Sequence, residues 1–281
     1  MNNIHWFPGH MNRALREISE KVALVDLVVE LRDARAVLSS ANSDLIAALK
    51  NKKRLIVLTK SDLALDGETE KWVSHFKTES QGALSINLLK LQDITLLIKT
   101  IAANDHEKRL KEAARGMKPQ PLRIMVVGVP NVGKSTLINK LANKRATQVE
   151  NRPGKTKAQQ WIKVRKQFEL LDTPGILPMK FEDKNAASNL AMLGMIKEEN
   201  VPQEEVAIKI VGYLRKYHSS EFFSFYNLEI TEDSDDRETI NQIAQRSGLL
   251  SGGKPNLERA YMMVLDDFRD GKIARVTLET I

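Results

Sequence analysis

The sequence predicts an α/β domain followed by a smaller α-helical domain. In residues 1–180, short apolar runs alternate with segments whose apolar residues lie three and four positions apart, which is typical of a parallel sheet with crossover helices. The expected strands are 24–31, 55–58, 83–86, 124–127, 161–164 and 168–171. The expected helices are 12–23 before the first strand, and 43–50, 67–79, 94–103 and 135–143 between the strands.

Residues 181–281 form the second predicted domain, because the pattern becomes helical after Pro178. Helices are expected at 185–198, 202–217, 237–246 and 256–268, and only residues 273–278 have a strand pattern. The acidic run at 232–236 is typical of a solvated loop, and Ser251-Gly252-Gly253 is typical of a break before a helix.

The composition excludes several classes of protein. The 281 residues include no cysteine, which rules out disulfide scaffolds and thiolate metal sites, so any metal must bind through oxygen or imidazole. The 43 basic and 36 acidic residues give a formal net charge of +7, which favours a polyanionic partner. Neither a signal peptide core nor an apolar run of about 18 residues is found, so we expect a cytoplasmic protein without membrane contact.

A phosphate-binding loop is expected between a strand and a helix. The sequence G-x-x-x-x-G-K-S runs from Gly128 to Ser135, and its glycines allow backbone N–H groups to turn toward a phosphate at the helix N-terminus. Lys134 would reach the outer phosphates, and the Ser135 hydroxyl would bind Mg²⁺. The pattern predicts a nucleoside triphosphate site. Its expected binding residues are Asn131, Val132, Gly133, Lys134, Ser135 and Thr136.

A D-x-x-G motif follows the last expected strand. Asp172 can hold the Mg²⁺ shell, and the N–H of Gly175 can meet the γ-phosphate during hydrolysis. Four residues with two fixed positions are a weak signal alone. Together with the phosphate loop, they predict a site for catalysis.

A third motif indicates which base is bound. Thr59-Lys60-Ser61-Asp62 closes another strand and resembles the N-K-x-D motif with which GTPases read guanine. A carboxylate at Asp62 can accept hydrogen bonds from the ring N–H and the exocyclic amine of guanine, a pair that adenine does not offer. Residues Ser85, Ile86 and Asn87 stand where GTPases have a short loop behind the base.

The order of these motifs differs from that of Ras-like GTPases. The base-reading residues at 59–62 and 85–87 precede the phosphate loop and the D-x-x-G motif, whereas in Ras-like enzymes they follow. Because all these loops lie at the carboxyl ends of strands in one sheet, a permuted chain can rebuild the same pocket. The chain therefore resembles a circularly permuted, Ras-like P-loop GTPase with a mostly parallel sheet, followed by a helical domain.

Within that group the sequence resembles the bacterial ribosome biogenesis GTPase A family. The matching residues are Trp6-Phe7-Pro8-Gly9-His10-Met11, Asp33-Ala34-Arg35, the loop at 128–136 and Arg152-Pro153-Gly154-Lys155-Thr156. The resemblance covers nearly the whole chain and is looser beyond residue 180, where the family has a helical domain believed to bind RNA. It implies late assembly of the large (50S) ribosomal subunit, with rRNA as a partner. Thr59 departs from the commoner asparagine, and Lys155 and Lys157 make the switch stretch more basic than usual.

The switch and the hydrolytic residue are less clearly marked. Thr156, beside Pro153 and Gly154, is the expected switch threonine for Mg²⁺, and Thr147 is its rival. After Gly175, where Ras-like enzymes place a glutamine, the chain has Ile176 and Leu177, which cannot orient a water. We expect slow intrinsic hydrolysis with His10 orienting the water, and the alternative is that His10 is an ordinary histidine at a helix start.

Asn131 suggests one more ligand. Some GTPases use an asparagine at this position of the loop to hold K⁺, which supplies the positive charge that an arginine provides elsewhere. The alternative is a role in the turn, which asparagine serves well. The sequence leaves both interpretations open.

An anionic partner is expected near the switch. From Lys134 to Lys166 there are ten basic residues against one acid, Glu150. Trp161, Trp6 and Phe7 could stack on unpaired bases, although packing within the protein is the favoured alternative. The basic residues of the second domain could contact RNA or serve as structural caps. These are Lys209, Arg215, Lys216, His218, Arg259, Arg269, Lys272 and Arg275.

Two functional hypotheses follow. The first is a monomeric GTPase switch that binds GTP with Mg²⁺, and K⁺ if Asn131 holds it, and associates with the large ribosomal subunit or its precursor, without binding DNA. In this hypothesis residues 176–181 transmit a change at the switch to the second domain. The second is a non-catalytic RNA-binding scaffold with GTP as a structural ligand. A P-loop ATPase or small-molecule kinase is hard to reconcile with Asp62.

Overall fold

The chain folds into two compact units. The computed structural model describes residues 8–49, 52–78, 82–142, 160–164, 167–179, 184–229 and 235–281, without the side chains of 8–10, 160 and 184. The described residues between 8 and 179 form the first unit together with the tail at 277–281, and those between 184 and 276 belong to the second. Among all the described residues, no helix is long and apolar enough to cross a bilayer.

A six-stranded sheet forms the centre of the first unit. The strands are β1 (Leu27–Asp33), β2 (Arg54–Thr59), β3 (Gly82–Ser85), β4 (Leu122–Gly128), β5 (Gln160–Val164) and β6 (Phe168–Asp172). Their spatial order is β3-β2-β1-β4-β6-β5, and every neighbouring pair is parallel except β5 with β6. The seven residues of β1 are all buried, as expected for a central parallel strand covered on both faces.

Helices connect and cover these strands. They are α1 (Pro8–Lys21), α2 (Ser43–Ala48), α3 (Asp66–Thr78), α4 (Leu91–Ala103), α5 (His106–Ala114) and α6 (Lys134–Ala142). The α1 and α2 side chains pack with β1, β4 and β6 in one apolar cluster, and α3 packs with β2 and β3 in another. The periodicity of the sequence did not reveal α5, a short helix rich in charged residues.

The second unit is helical. Its helices are α7 (Lys184–Met192), α8 (Gln203–Tyr217), α9 (Ser219–Phe225), α10 (Asp236–Arg246) and α11 (Leu257–Arg269). Side-chain caps fix two of the starts, since Asp235 accepts from the Glu238 N–H and Asn256 from the Arg259 N–H. α9 was not expected, and α7 ends before the predicted limit of 198.

In this region one expectation is refined and another is wrong. Residues 251–253 interrupt the chain before α11 as expected, and Gly252 and Gly253, both with positive φ, turn a short hairpin of β7 (Leu250–Ser251) and β8 (Lys254–Pro255). The strand pattern at 273–278 forms no strand. Its last two residues lie in the tail at 277–281, which packs on the first unit although the sequence pattern had placed it in the second domain.

Candidate functional site

Parallel strands bring the predicted motifs to one edge of the sheet. The phosphate loop follows β4, the D-x-x-G motif begins at the end of β6, and the base-reading motifs follow β2 and β3. β4 pairs with both β6 and β1, and β1 pairs with β2. The loops therefore emerge at the carboxyl ends of neighbouring strands, where open α/β sheets bind ligands.

Backbone conformation explains the glycines of the phosphate loop. Gly133 has φ +108°, and a Cβ there would lie 2.7 Å from Leu88 Cδ1. Gly128 has φ +151°, and a Cβ there would lie 2.6 Å from the carbonyl oxygen of Leu31. Asn131 has φ 55°, in the left-handed region that asparagine tolerates, so the structure shows its turn conformation directly.

Lys134 lies inside this loop at the start of α6. Its ammonium donates hydrogen bonds to the carbonyl oxygens of Gly128, at 3.0 Å, and Val129, at 2.7 Å. Burial lowers the pKa of Lys134 to about 8, and the negative charge of Asp172 opposes that shift. At pH 7 the ammonium therefore keeps the positive charge that a phosphate site needs.

Asp172 is the buried carboxylate of the site. The residue is 1% exposed, and among the described residues neither carboxylate oxygen has a hydrogen-bond partner of standard geometry. Burial raises the pKa of Asp172 above its ordinary value, and the positive charge of Lys134 opposes this shift only in part. An unpartnered buried carboxylate is costly without a counter-charge. The residues present therefore fit Mg²⁺, which would be held by Asp172 and the Ser135 hydroxyl together with nucleotide phosphates and water.

The D-x-x-G glycine touches the phosphate loop. A Cβ on Gly175 would lie 2.7 Å from both the N and the Cα of Pro130, so the two backbones are in close contact. The Ile176 N–H donates to the carbonyl oxygen of Gly128. Ile176 and Leu177 are 1% and 3% exposed, and Ile176 packs against the apolar face of α1. These two buried, apolar side chains therefore cannot orient a water molecule as a glutamine would.

Gly175→Ala is expected to reduce GTP turnover about a hundredfold, because the new methyl group must displace the Pro130 backbone and misalign the loop. Single-turnover GTP hydrolysis measures this effect. Gly67→Ala is the matched control, since a Cβ at Gly67 meets no atom within 4 Å. Equal rates for Gly175→Ala and Gly67→Ala would contradict the proposed role of this contact.

The base-reading motif is tied to the phosphate loop. The buried Thr59 hydroxyl lies 2.7 Å from the carbonyl oxygen of Val132 and 3.1 Å from that of Arg32. The Thr59 side chain therefore bridges the base-reading motif and the phosphate loop. Lys60 has φ 57°, and the partly buried Asp62 lies in the 3₁₀ turn Ser61–Leu63 that follows.

The loop after β3 is attached to the same motif. The Ser61 N–H donates to the carbonyl oxygen of Ile86. The Asn87 side chain accepts from the Leu89 N–H, and Asp93 accepts from the Asn87 N–H. Asn87 thus fixes the turn. Ser85 is the last residue of β3, and Ile86, which follows it, lies beside Ser61.

A buried ionic cluster supports Lys60. Asp33, which is fully buried, accepts two parallel hydrogen bonds from the Arg35 guanidinium, each 3.0 Å long. The Lys60 ammonium lies 3.0 Å from the same carboxylate. Sequence reasoning used Asp33 and Arg35 only as part of the family resemblance. An acid and a base two positions apart at the end of a buried strand were the available signal.

Several predicted site residues lie outside the described residues. These are Thr156, its rival Thr147, Trp6, Phe7 and much of the basic stretch between 143 and 159, and the side chain of His10 also lies outside them. The backbone of His10 belongs to the first turn of α1. Trp161 is 40% exposed, and the Arg123 guanidinium lies 5.4 Å from its ring centroid.

Several of the basic residues proposed for RNA contact in the second unit have internal partners. Arg269 donates to the carbonyl oxygens of Ala191 and Met192 at the end of α7 and pairs with Glu198. The other pairs are Arg215 with Asp236, Lys272 with Asp267 and Lys209 with Ser188. These contacts favour the structural alternative for these four cations.

Comparison with known proteins extends these observations. The family described as "50S ribosome-binding GTPase" matches residues 123–223. "Ribosome biogenesis GTPase A" of Bacillus cereus is 42% identical over 279 residues, covering 99% of this chain and 94% of that protein. The Thermotoga maritima relative of the same name is 34% identical over 275 residues, covering 98% and 93%.

Solved structures agree with the sequence relatives. The GNP-bound structure of YlqF from T. maritima has a TM-score of 0.67 and 29% identity, covering 95% of this chain and 98% of that chain. The GDP-bound structure has a TM-score of 0.66 and 28% identity, covering 94% and 99%. The predicted fold and the predicted family are both confirmed. This chain is a circularly permuted GTPase that belongs to the ribosome biogenesis GTPase A family.

Proposed function

We propose that this protein is a GTP-hydrolysing switch that binds rRNA or pre-ribosomal particles and assists late assembly of the large ribosomal subunit. The opposite charges of Lys134 and the buried Asp172 beside the phosphate loop carry the catalytic part of this proposal. The names of the relatives carry its ribosomal part. A cytoplasmic monomer that does not bind DNA is consistent with both.

The base is guanine in this proposal. Asp62 reads it, Thr59, Lys60 and Ser61 shape the loop, and residues 85–87 support the base from behind. The hydrogen bond from Thr59 to the carbonyl oxygen of Val132 supports this assignment, because it fixes the base loop relative to the phosphate loop. Backbone N–H groups of residues 131–136 would bind the phosphates at the N-terminus of α6.

Hydrolysis needs a group that orients water, and His10 fills that role in this proposal. Burial of Ile176 and Leu177 removes both from consideration. Ala14, Leu15 and Ile18 of α1 share one apolar cluster with Ile176, which follows the D-x-x-G motif. This supports the assignment, because His10 lies in the first turn of the same helix. A neutral imidazole can orient water by hydrogen bonding near pH 7. Thr156 would complete the Mg²⁺ shell, and Asn131 would hold K⁺ in the loop.

His10→Ala is expected to reduce GTP turnover about a hundredfold while leaving GTP affinity unchanged, because general acid–base groups contribute to the transition state. Turnover is measured in K⁺ and in Na⁺ at matched ionic strength, with and without purified large ribosomal subunits. Subunits should stimulate the native chain and not the variant, and faster turnover in K⁺ would support the role of Asn131.

His106→Ala is the control, since His106 is an exposed histidine at the start of α5. Stimulation that survives in His10→Ala would transfer the water-orienting role to the ribosomal particle. Absence of stimulation under all conditions, with GTP still bound, would favour the scaffold hypothesis and remove the ribosomal switch.

A further inference from the structure

The last residues of the chain hold the loop that follows β1. The Leu278 N–H donates to the carbonyl oxygen of Arg35 at 2.7 Å. The Glu279 carboxylate accepts from the N–H of Leu38, at 2.5 Å, from the N–H of Ser39, at 3.0 Å, and from the Ser39 hydroxyl. One carboxylate thus satisfies successive backbone donors of an otherwise irregular loop, which is a strong, charge-assisted arrangement.

The same tail also holds the segment that follows the base-reading motif. The Thr277 hydroxyl accepts from the N–H of Leu65, at 3.1 Å. The carbonyl oxygen of Glu279 accepts from the indole N–H of Trp72, at 3.2 Å. Leu65 lies three residues after Asp62, and Trp72 lies in α3. The tail therefore lies between the loop after β1 and the segment that leads away from Asp62.

The loop after β1 is in turn bonded to the base-reading motif. The Ala34 N–H donates to the carbonyl oxygen of Thr59 at 2.9 Å. Arg35 and Lys60 share the Asp33 carboxylate. The tail is thus connected to Thr59 and Lys60 through its bonds to Arg35, Leu38 and Ser39, the backbone of the loop, and the contacts of Ala34 and Asp33. Such contiguous contacts can transmit a change of position over several residues.

We propose that residues 277–281 position the guanine-reading loop, and that Glu279 is the positioning residue through which they act. The proposal rests on the assignment of Asp62 to guanine. The bonds of the tail described above fall on the loop after β1 and on the segment after Asp62, so the tail acts on recognition of the base. The tail follows directly after Val276, the last residue of the helical unit, and belongs to the unit that contains the nucleotide pocket.

The test compares the binding of GDP and inosine diphosphate, which lacks the exocyclic amine of guanine. Glu279→Ala, and a chain that ends at Thr277, are each expected to raise the Kd of GDP about tenfold and that of inosine diphosphate less, so discrimination between them falls. Removal of Ile281 alone is the matched control, since its side chain is exposed and the contacts of Thr277 to Glu279 remain. The melting temperature of each chain is recorded in parallel.

Asp62→Ala separates the two assignments. If Asp62→Ala loses the discrimination and both tail variants keep it, the tail proposal is overturned and the guanine assignment stands. If Asp62→Ala also keeps the discrimination, both are overturned. Equal weakening of the two nucleotides with a lower melting temperature shows a merely structural tail, which also overturns the proposal. Glu279→Ala keeps the backbone bonds of the tail. If the shortened chain does not fold, the nucleotide discrimination of Glu279→Ala alone tests the proposal.

Discussion

Lys134→Ala is expected to lower GTP turnover about a thousandfold, since it removes a preorganised positive charge from the site where phosphoryl charge develops. The ammonium is held by the carbonyl oxygens of Gly128 and Val129 and faces the buried Asp172. Removing it also leaves Asp172 without a nearby cation, so Mg²⁺ and GTP affinity should both fall. Single-turnover hydrolysis and titration with a fluorescent GTP analogue measure the two effects.

Lys140→Ala is the matched control for this prediction. Lys140 lies on the same helix, α6, with an exposed side chain. Its removal takes away the same formal charge without touching the phosphate loop, so turnover should stay near the native value. A loss for Lys134→Ala within tenfold of Lys140→Ala would refute the placement of the phosphates at this loop.

Asp33→Ala is expected to lower the free energy of unfolding by about 3–5 kcal/mol, because it leaves the charge of the buried Arg35 uncompensated. Arg35 is 1% exposed, and Asp33 also pairs with Lys60. Urea denaturation measures the change. Glu17→Ala breaks an exposed pair with Arg13, and its effect should stay below about 1 kcal/mol. Similar losses for the two variants would contradict the buried cluster.

The same cluster predicts a pH dependence of stability. Burial alone would raise the pKa of Asp33, but the charges of Arg35 and Lys60 outweigh it and hold that pKa well below the ordinary range. A depressed carboxylate pKa stabilises the folded state above the unfolded pKa of about 3.9, and this stabilisation is lost as the pH falls below it. Asp33→Ala should therefore flatten the acid limb of a stability curve.

The sequence determined the phosphate site and the permutation. The spacing from Gly128 to Ser135 specifies a strand, a turn and a helix within about fifteen residues, so local patterning contains nearly all of its information. The motif order is likewise a property of the chain alone. Because each motif follows a strand of the expected parallel sheet, the shared edge could be expected before the strand order was known.

Tertiary structure decided the supports of that site. Sequence patterning identified Ile176 as unable to orient water, but its burial against α1 depends on contacts with a helix more than 150 residues away in the sequence. The structural role of Arg269 depends on carbonyl groups 77 and 78 residues away. The loop after β1 is held by a carboxylate 240 residues from Ser39. Periodicity reports which face of an element is apolar, whereas hydrogen bonds between distant segments depend on how the packed elements lie in space.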